Sequence, residues 1–144
     1  MASNRHLGRI VALQSLYEYD FREDDGRDLD EISKRNFAQY DDVIEDEEFV
    51  FNLIKLVDNK QKEVDDVIRP AAPEWPIEQI ARIDKIILRI AVAELLHTED
   101  TPPKVIINEA VELGKRFGSD SSSKFINGVL GTVYREQIES KEQE

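Results

Sequence analysis

The stretch IILRIAVAELL, residues 86–96, limits the fold more than any other part of this chain. Its leucines, isoleucines, valines and alanines recur at every helical phase. A helix built from it is apolar almost all round and has to be enclosed on most sides, which is the position of a central helix in a bundle. Arg89 and Glu94 interrupt the run, and it is far shorter than the roughly 20 apolar residues of a membrane span. Pro76 and the short turn IEQI introduce this helix, which is predicted to run to about His97.

Helical periodicity dominates elsewhere too, and no segment alternates convincingly as a strand does. The first helix is predicted from Ser3 or Asn4, both good N-caps, to about Arg22. At about 100° per residue, Leu7, Ile10, Val11, Leu13, Tyr17 and Phe21 form one broad stripe. Arg5 and Arg9 fall together with Ala12 on the opposite face, and Gly8 beside them leaves little side-chain bulk near the guanidinium groups. REDDGRDLDE reads as a loop punctuated by Gly26. A second helix is expected over 29–40, with Ile32 and Phe37 inward. A third starts near Asp46 and carries Phe49, Val50, Leu53, Ile54, Val57, Val64 and Val67. Pro70 and Pro73 end it, and RPAAPEWP is the main internal break.

EDTPPK breaks the chain again, and Pro102 or Pro103 suits the first turn of the next helix. That helix carries Val105, Ile106, Ala110, Val111, Leu113 and Phe117, with Gly118 able to cap its end. SDSSS then offers several N-caps to a last helix with Phe125, Ile126, Val129, Leu130 and Val133. From about residue 136 the tail is polar and expected to fray. The expectation is one all-α domain over 1–144, with six or seven helices and no internal repeat.

A chain of 144 residues, 40% hydrophobic and 35% charged, is long enough for a real core and has the make-up of a soluble globular protein. It has no cysteine, which excludes disulfides, thiolate nucleophiles and zinc–thiolate sites. No apolar signal core follows the N-terminal arginines, so a reducing cytoplasm and no membrane association are expected.

The net charge of -12 is unevenly spread. Residues 18–50 hold 14 acidic and 4 basic side chains, whereas the first seventeen residues contain Arg5, His6 and Arg9 and no carboxylate. Residues 104–124 carry Lys104, Lys115, Arg116 and Lys124 against Glu109, Glu112 and Asp120. Solvation alone accounts for many such imbalances. Two segments nonetheless escape the negative field.

Catalytic patterns are thin, and no enzyme is expected. Glu94-x-x-His97 is half of the pattern that helical di-iron proteins supply twice. His6 has Ser3 at the matching position, so the second half is missing and no metal or other cofactor is expected. Pairing of Glu94 with an arginine such as Arg89 is the simpler reading, and His97 suits a helix C-terminus. No glycine-rich phosphate loop follows a strand. Binding is better supported. Arg5 and Arg9 are fork-shaped donors that can hold phosphate oxygens or stack on bases. Lys115 and Arg116 end one helix, and Lys124 lies one turn into the next, where backbone N–H groups can accept an anion. Phe117 reads as core. Phe125 leaves core packing and base stacking both open, and Asn127 either reads a base edge or caps backbone.

KVIINEAVELGKRFGSDSSSKFINGVLGTV, residues 104–133, resembles the C-terminal signature of the NusB family of bacterial transcription antitermination factors. RHLGRIVALQSLY, 5–17, is similar to that family's arginine-containing opening, and DKIILRIAVAELL, 84–96, matches its central helix. The resemblance runs in order through most of the chain, with only 23–75 weakly marked. It implies two small helical bundles packed together, a heterodimer with the ribosomal protein NusE, binding of single-stranded boxA RNA, and entry into the antitermination complex on RNA polymerase. Carried over by position, the RNA contacts are Arg5, His6, Arg9, Gln14 and Tyr17, then Lys124, Phe125 and Asn127, with Lys115 and Arg116 adding charge nearby.

This chain departs from the family in having only two arginines at its start, so weak RNA affinity without the partner is expected. Its acidity suits a strongly basic ribosomal protein. The rival expectations are a helical protein adaptor without RNA binding, an RNA-binding domain like that of rRNA cytosine methyltransferases, and a metalloenzyme through Glu94 and His97. The ending at Glu144 favours a stand-alone factor over the methyltransferase domain.

Overall fold

In the computed structural model, residues 4–21 and 28–142 are described. The predicted caps and boundaries at Ser3, Arg22 and Gly26 lie outside them. Every regular element among the described residues is helical, and seven α-helices have ten residues or more. The chain forms two compact units, Met1–Asp58 and Asn59–Glu144, in keeping with the two bundles expected.

The first unit holds α1 (Asn4–Phe21), α2 (Leu29–Ala38) and α3 (Glu47–Asn59). Asp28 starts α2 by accepting the Asp30 N–H at 3.1 Å, which satisfies one of the donors that a helix N-terminus leaves open. Asp46 does the same for α3 through the Phe49 N–H at 3.0 Å. Ile32 and Phe37 turn inward as expected. Asn36 of α2 donates to Ser15 Oγ of α1 in a buried bond of 3.1 Å, and Phe37 meets Phe51 with ring centroids 5.4 Å apart.

The single third helix expected from Asp46 to Pro70 is instead two, because the backbone leaves helical geometry at Lys60 (φ -106°, ψ 14°). The apolar stripe passes through this break in phase. Val57 and Val64 are seven residues apart and both buried, so periodicity gave no sign of it. In α4 (Gln61–Ala71), Val64, Ile68 and Ala71 are buried while Val67 is only partly so, and the helix continues one residue past Pro70.

The second unit is organised by α5 (Arg82–His97), which follows a 3-10 turn at Ile77–Gln79. Eleven of its residues are buried, as its all-round apolar sequence requires. Ile86, Ile87, Leu88 and Ile90 are each at most 2% exposed, and each such side chain contributes about 1.5–3 kcal/mol. Around α5 lie α4, α6 (Pro103–Phe117) and α7 (Ser122–Val133). Arg89 donates from Nε and Nη2 to the two oxygens of Asp65 at 2.8 and 2.9 Å, a buried bidentate pair joining α5 to α4. His97 Nε2 lies 3.1 Å from Glu63 Oε1, and among the described residues no cluster of His, Asp and Glu is arranged to hold a metal.

The C-terminal tail does not fray where expected. Tyr134–Glu139 continues α7 as a π-helical segment and Ser140–Glu142 follows in α form, with Tyr134 and Ile138 half-buried and the segment lying against α5. Apolar side chains on one side of a mostly polar sequence are enough to hold it.

Candidate nucleic-acid interface

In the first unit, the face of α1 expected to be open is covered. Arg9 is 3% exposed and Ala12 fully buried, because α3 packs against this side of α1 at Gly8. A Cβ at Gly8 would stand 3.0 Å from Val50 Cγ2 and 3.3 Å from Phe49 Cδ1, so glycine there sets how closely α3 approaches. The Phe49 ring lies beneath both guanidinium groups, 4.5 Å from Arg5 and 5.2 Å from Arg9. Each guanidinium therefore has an aromatic face beside it, a contact that favours this orientation. Arg5, His6, Gln14 and Tyr17 are half-buried, and Tyr17 stacks on Phe21 at 6.4 Å.

The N-terminus is free of carboxylates in sequence but not in space. Asp46 Oδ2 lies 3.9 Å from Arg5 Nη2, and the Glu45 backbone N–H donates to Asn4 Oδ1. Charge counted along the chain does not see this, because the α3 entry is 41 residues away and folds back. The pair is exposed, 37% and 47%, and contributes at most about 1 kcal/mol. Phe49 and Asp46 are the members of this site that sequence reasoning missed; an aromatic at helical spacing looked only like core.

In the second unit, α6 ends in Lys115 and Arg116, both exposed. Lys115 reaches Glu112 at 3.4 Å, and the Arg116 guanidinium sits 5.2 Å from the Phe117 ring, which is half-buried rather than core. The α6–α7 turn is tight. A Cβ at Gly118 would overlap Ser122 Oγ and stand 2.8 Å from the Gly114 carbonyl oxygen, so glycine is needed there for space, its φ of -95° being ordinary. Ser121 occupies the N-cap of α7 without a side-chain cap bond. The buried Ser122 hydroxyl instead accepts the Ser119 N–H at 2.9 Å. Gly114 has the same role between helices, since a Cβ there would meet Ile126 Cδ1 at 2.8 Å. The result is that Lys124 and Asn127 stand exposed on the first turns of α7, with Phe125 half-buried beside them.

Phe125 also lines a cleft with Trp75 and Asp84. Trp75, in the loop read only as a break, is 52% exposed, and buried Asp84 has an Oδ1 with no hydrogen-bond partner. An orphaned buried acceptor of this kind costs about 1–3 kcal/mol. An exposed tryptophan between prolines was the available sequence signal for this site.

Two helical units, each displaying cationic side chains beside aromatic rings, define a helical binding protein. The family model described as "NusB family" matches residues 6–135, and the chain belongs to that family. It is 39% identical over 143 residues to the transcription antitermination protein NusB of Dehalococcoides mccartyi, covering 99% of this chain and 98% of that one. It is 45% identical over 142 residues to the NusB of Roseiflexus castenholzii, covering 95% and 98%. Among solved structures, T. maritima NusB superposes with a TM-score of 0.83 at 28% identity over the whole of both chains. A chain from a crystal structure of antitermination factors NusB and NusE in complex with dsRNA gives 0.81 at 26% identity, covering 94% and 98%. No helix among the described residues is long and apolar enough to cross a membrane.

Proposed function

We propose that this chain is a transcription antitermination factor that binds single-stranded boxA RNA of nascent transcripts together with the ribosomal protein NusE, and joins the antitermination complex on RNA polymerase in the cytoplasm. The observation that carries this reading is its membership of the NusB family over nearly its whole length. The chemistry of the two basic faces supports it. On the first unit, Arg5 and His6 meet RNA phosphates, Gln14 and Tyr17 extend the contact along α1, and the Phe49 ring holds the guanidinium pair in place. Buried Arg9 acts from beneath, adding charge more than contact. On the second unit, Lys115, Arg116 and Lys124 supply charge, Phe125 a stacking surface and Asn127 a base-edge donor and acceptor.

Two arginines rather than a longer run, one of them beside Asp46, give weak binding to RNA by the chain alone. NusE then supplies part of the positive surface, and the net charge of -12 favours encounter with such a basic partner. Fluorescence anisotropy of labelled boxA RNA against a scrambled control, with and without NusE, tests the reading. Selective binding strengthened by NusE is expected. No selectivity with NusE present overturns it in favour of a helical adaptor, the reading that the covered Arg9 favours.

A further inference from the structure

Asp46 uses its two oxygens differently, and only one of them serves the fold. Its Oδ1 accepts the Phe49 N–H at 3.0 Å and caps the start of α3. Its Oδ2 lies 3.9 Å from Arg5 Nη2 of α1. A helix cap needs one acceptor, and asparagine or serine supplies it as well as aspartate does, so α3 does not require the negative charge. The first seventeen residues contain no carboxylate, and it is the fold that brings this one to Arg5. The Glu45 N–H, donating to Asn4 Oδ1, ties the start of α1 to the entry of α3 and keeps the pair together.

A stronger anion can displace such a contact. At 3.9 Å it is an ion pair longer than a hydrogen bond, between side chains 37% and 47% exposed. The Phe49 ring, 4.5 Å from the Arg5 guanidinium, engages the face of that group and leaves its in-plane N–H donors to an anion. A phosphate oxygen at hydrogen-bond distance can therefore replace Asp46 without taking Arg5 off the ring or uncapping α3. We propose that Asp46 is an internal competitor of RNA phosphate: it holds Arg5 in the RNA-free protein, yields Arg5 to a phosphate when RNA binds, and remains the cap of α3 throughout. The inference rests on the RNA-binding reading and adds a brake to it. Every RNA that uses Arg5 is weakened by one common factor, up to about fivefold for an exposed pair, and sequence selectivity is unchanged. Retention on RNA then depends on contacts that Asp46 does not oppose, those of the second unit and of NusE.

Anisotropy of labelled boxA RNA is measured with NusE present for the parent chain, Asp46→Asn and Asp46→Ser, both of which keep an N-cap acceptor. Each variant is expected to bind up to about fivefold tighter. The log–log salt slope is expected to steepen by up to about one, because Arg5 then meets phosphate with no carboxylate beside it. Two controls separate displacement from a mere change of net charge. Asp58→Asn removes the same charge from an exposed position twelve residues further along α3, about 18 Å away, and is expected to leave binding near the parent value. In an Arg5→Gln background, Asp46→Asn is expected to have no effect, since the group it competes for is gone. Equal tightening by Asp46→Asn and Asp58→Asn, or undiminished tightening without Arg5, overturns the proposal in favour of a general field effect while RNA binding stands. Unchanged binding in both Asp46 variants overturns it as well. The parent, Asp46→Asn and Asp58→Asn are also titrated with inorganic pyrophosphate, followed through the Glu45 and Phe49 backbone amides by NMR. If no variant binds boxA, the RNA reading falls and pyrophosphate decides the competitor. Tighter pyrophosphate binding by Asp46→Asn alone upholds it, and equal or absent binding overturns it.

Discussion

Gly118→Ala tests whether the α6–α7 turn is built by close packing. The backbone at Gly118 has φ -95°, which alanine adopts freely, so any penalty is steric. The new Cβ would overlap Ser122 Oγ, stand 2.5 Å from Ser122 Cβ, and press on the Gly114 carbonyl oxygen at 2.8 Å. The serine cannot rotate away without breaking its 2.9 Å bond from the Ser119 N–H, and it is 1% exposed. The backbone cannot retreat without stretching the 3.0 Å bond from the Gly118 N–H to Gly114. Losing one such bond with its partner left buried costs about 1–3 kcal/mol, and overpacking costs a similar amount. Alanine's stiffer unfolded chain returns about 0.4–1 kcal/mol. A net loss of about 2–3 kcal/mol is expected.

Urea denaturation followed through Trp75 fluorescence reads the second unit selectively, which matters for a chain of two units that need not unfold in one step. Adding Ser122→Gly removes the overlapping side chain, so the pair is expected to be less destabilised than the two single changes predict. Gly118→Ala within about 0.5 kcal/mol of the parent, or strict additivity with Ser122→Gly, would refute the steric account.

Asp65→Asn removes the bidentate carboxylate from Arg89 in a buried site, and a loss of up to about 3–5 kcal/mol is expected by thermal or urea unfolding. Asp46→Asn removes an exposed carboxylate from beside Arg5. Tighter RNA binding by a few-fold is expected in anisotropy, together with a stability change under about 1 kcal/mol. Arg5→Gln is expected to lower the log–log salt slope of RNA binding by up to about one while leaving the fold intact, whereas Arg9→Gln also destabilises, because a 3%-exposed side chain is lost. Phe49→Leu keeps the bulk over Gly8 but removes the ring under both guanidiniums. Weaker RNA binding with an unchanged salt slope is its expected signature.

Much of the architecture was legible because burial imposes a period on the sequence. The all-round apolar run of α5 had to be central, Pro102 or Pro103 suited the first turn of α6 and Pro103 opens it, and the 3-10 turn at Ile77–Gln79 fell where IEQI was read as a turn. The break at Lys60 was invisible because it leaves the apolar phase intact on both sides. The tail was misread because composition says nothing about which side of a polar helix rests on a neighbour.

The sequence by itself determined the helical class, the central helix, the family resemblance and the residue types of both basic faces. All of these follow from local periodicity and residue chemistry. Only the tertiary structure decided that Asp46 stands beside Arg5, that one phenylalanine supports two arginines, and that Trp75, Asp84 and Phe125 share a cleft. Those juxtapositions join residues tens of positions apart. Their partners are chosen by where helices cross, and glycines such as Gly8 and Gly114 permit that crossing without a pattern that marks it in advance.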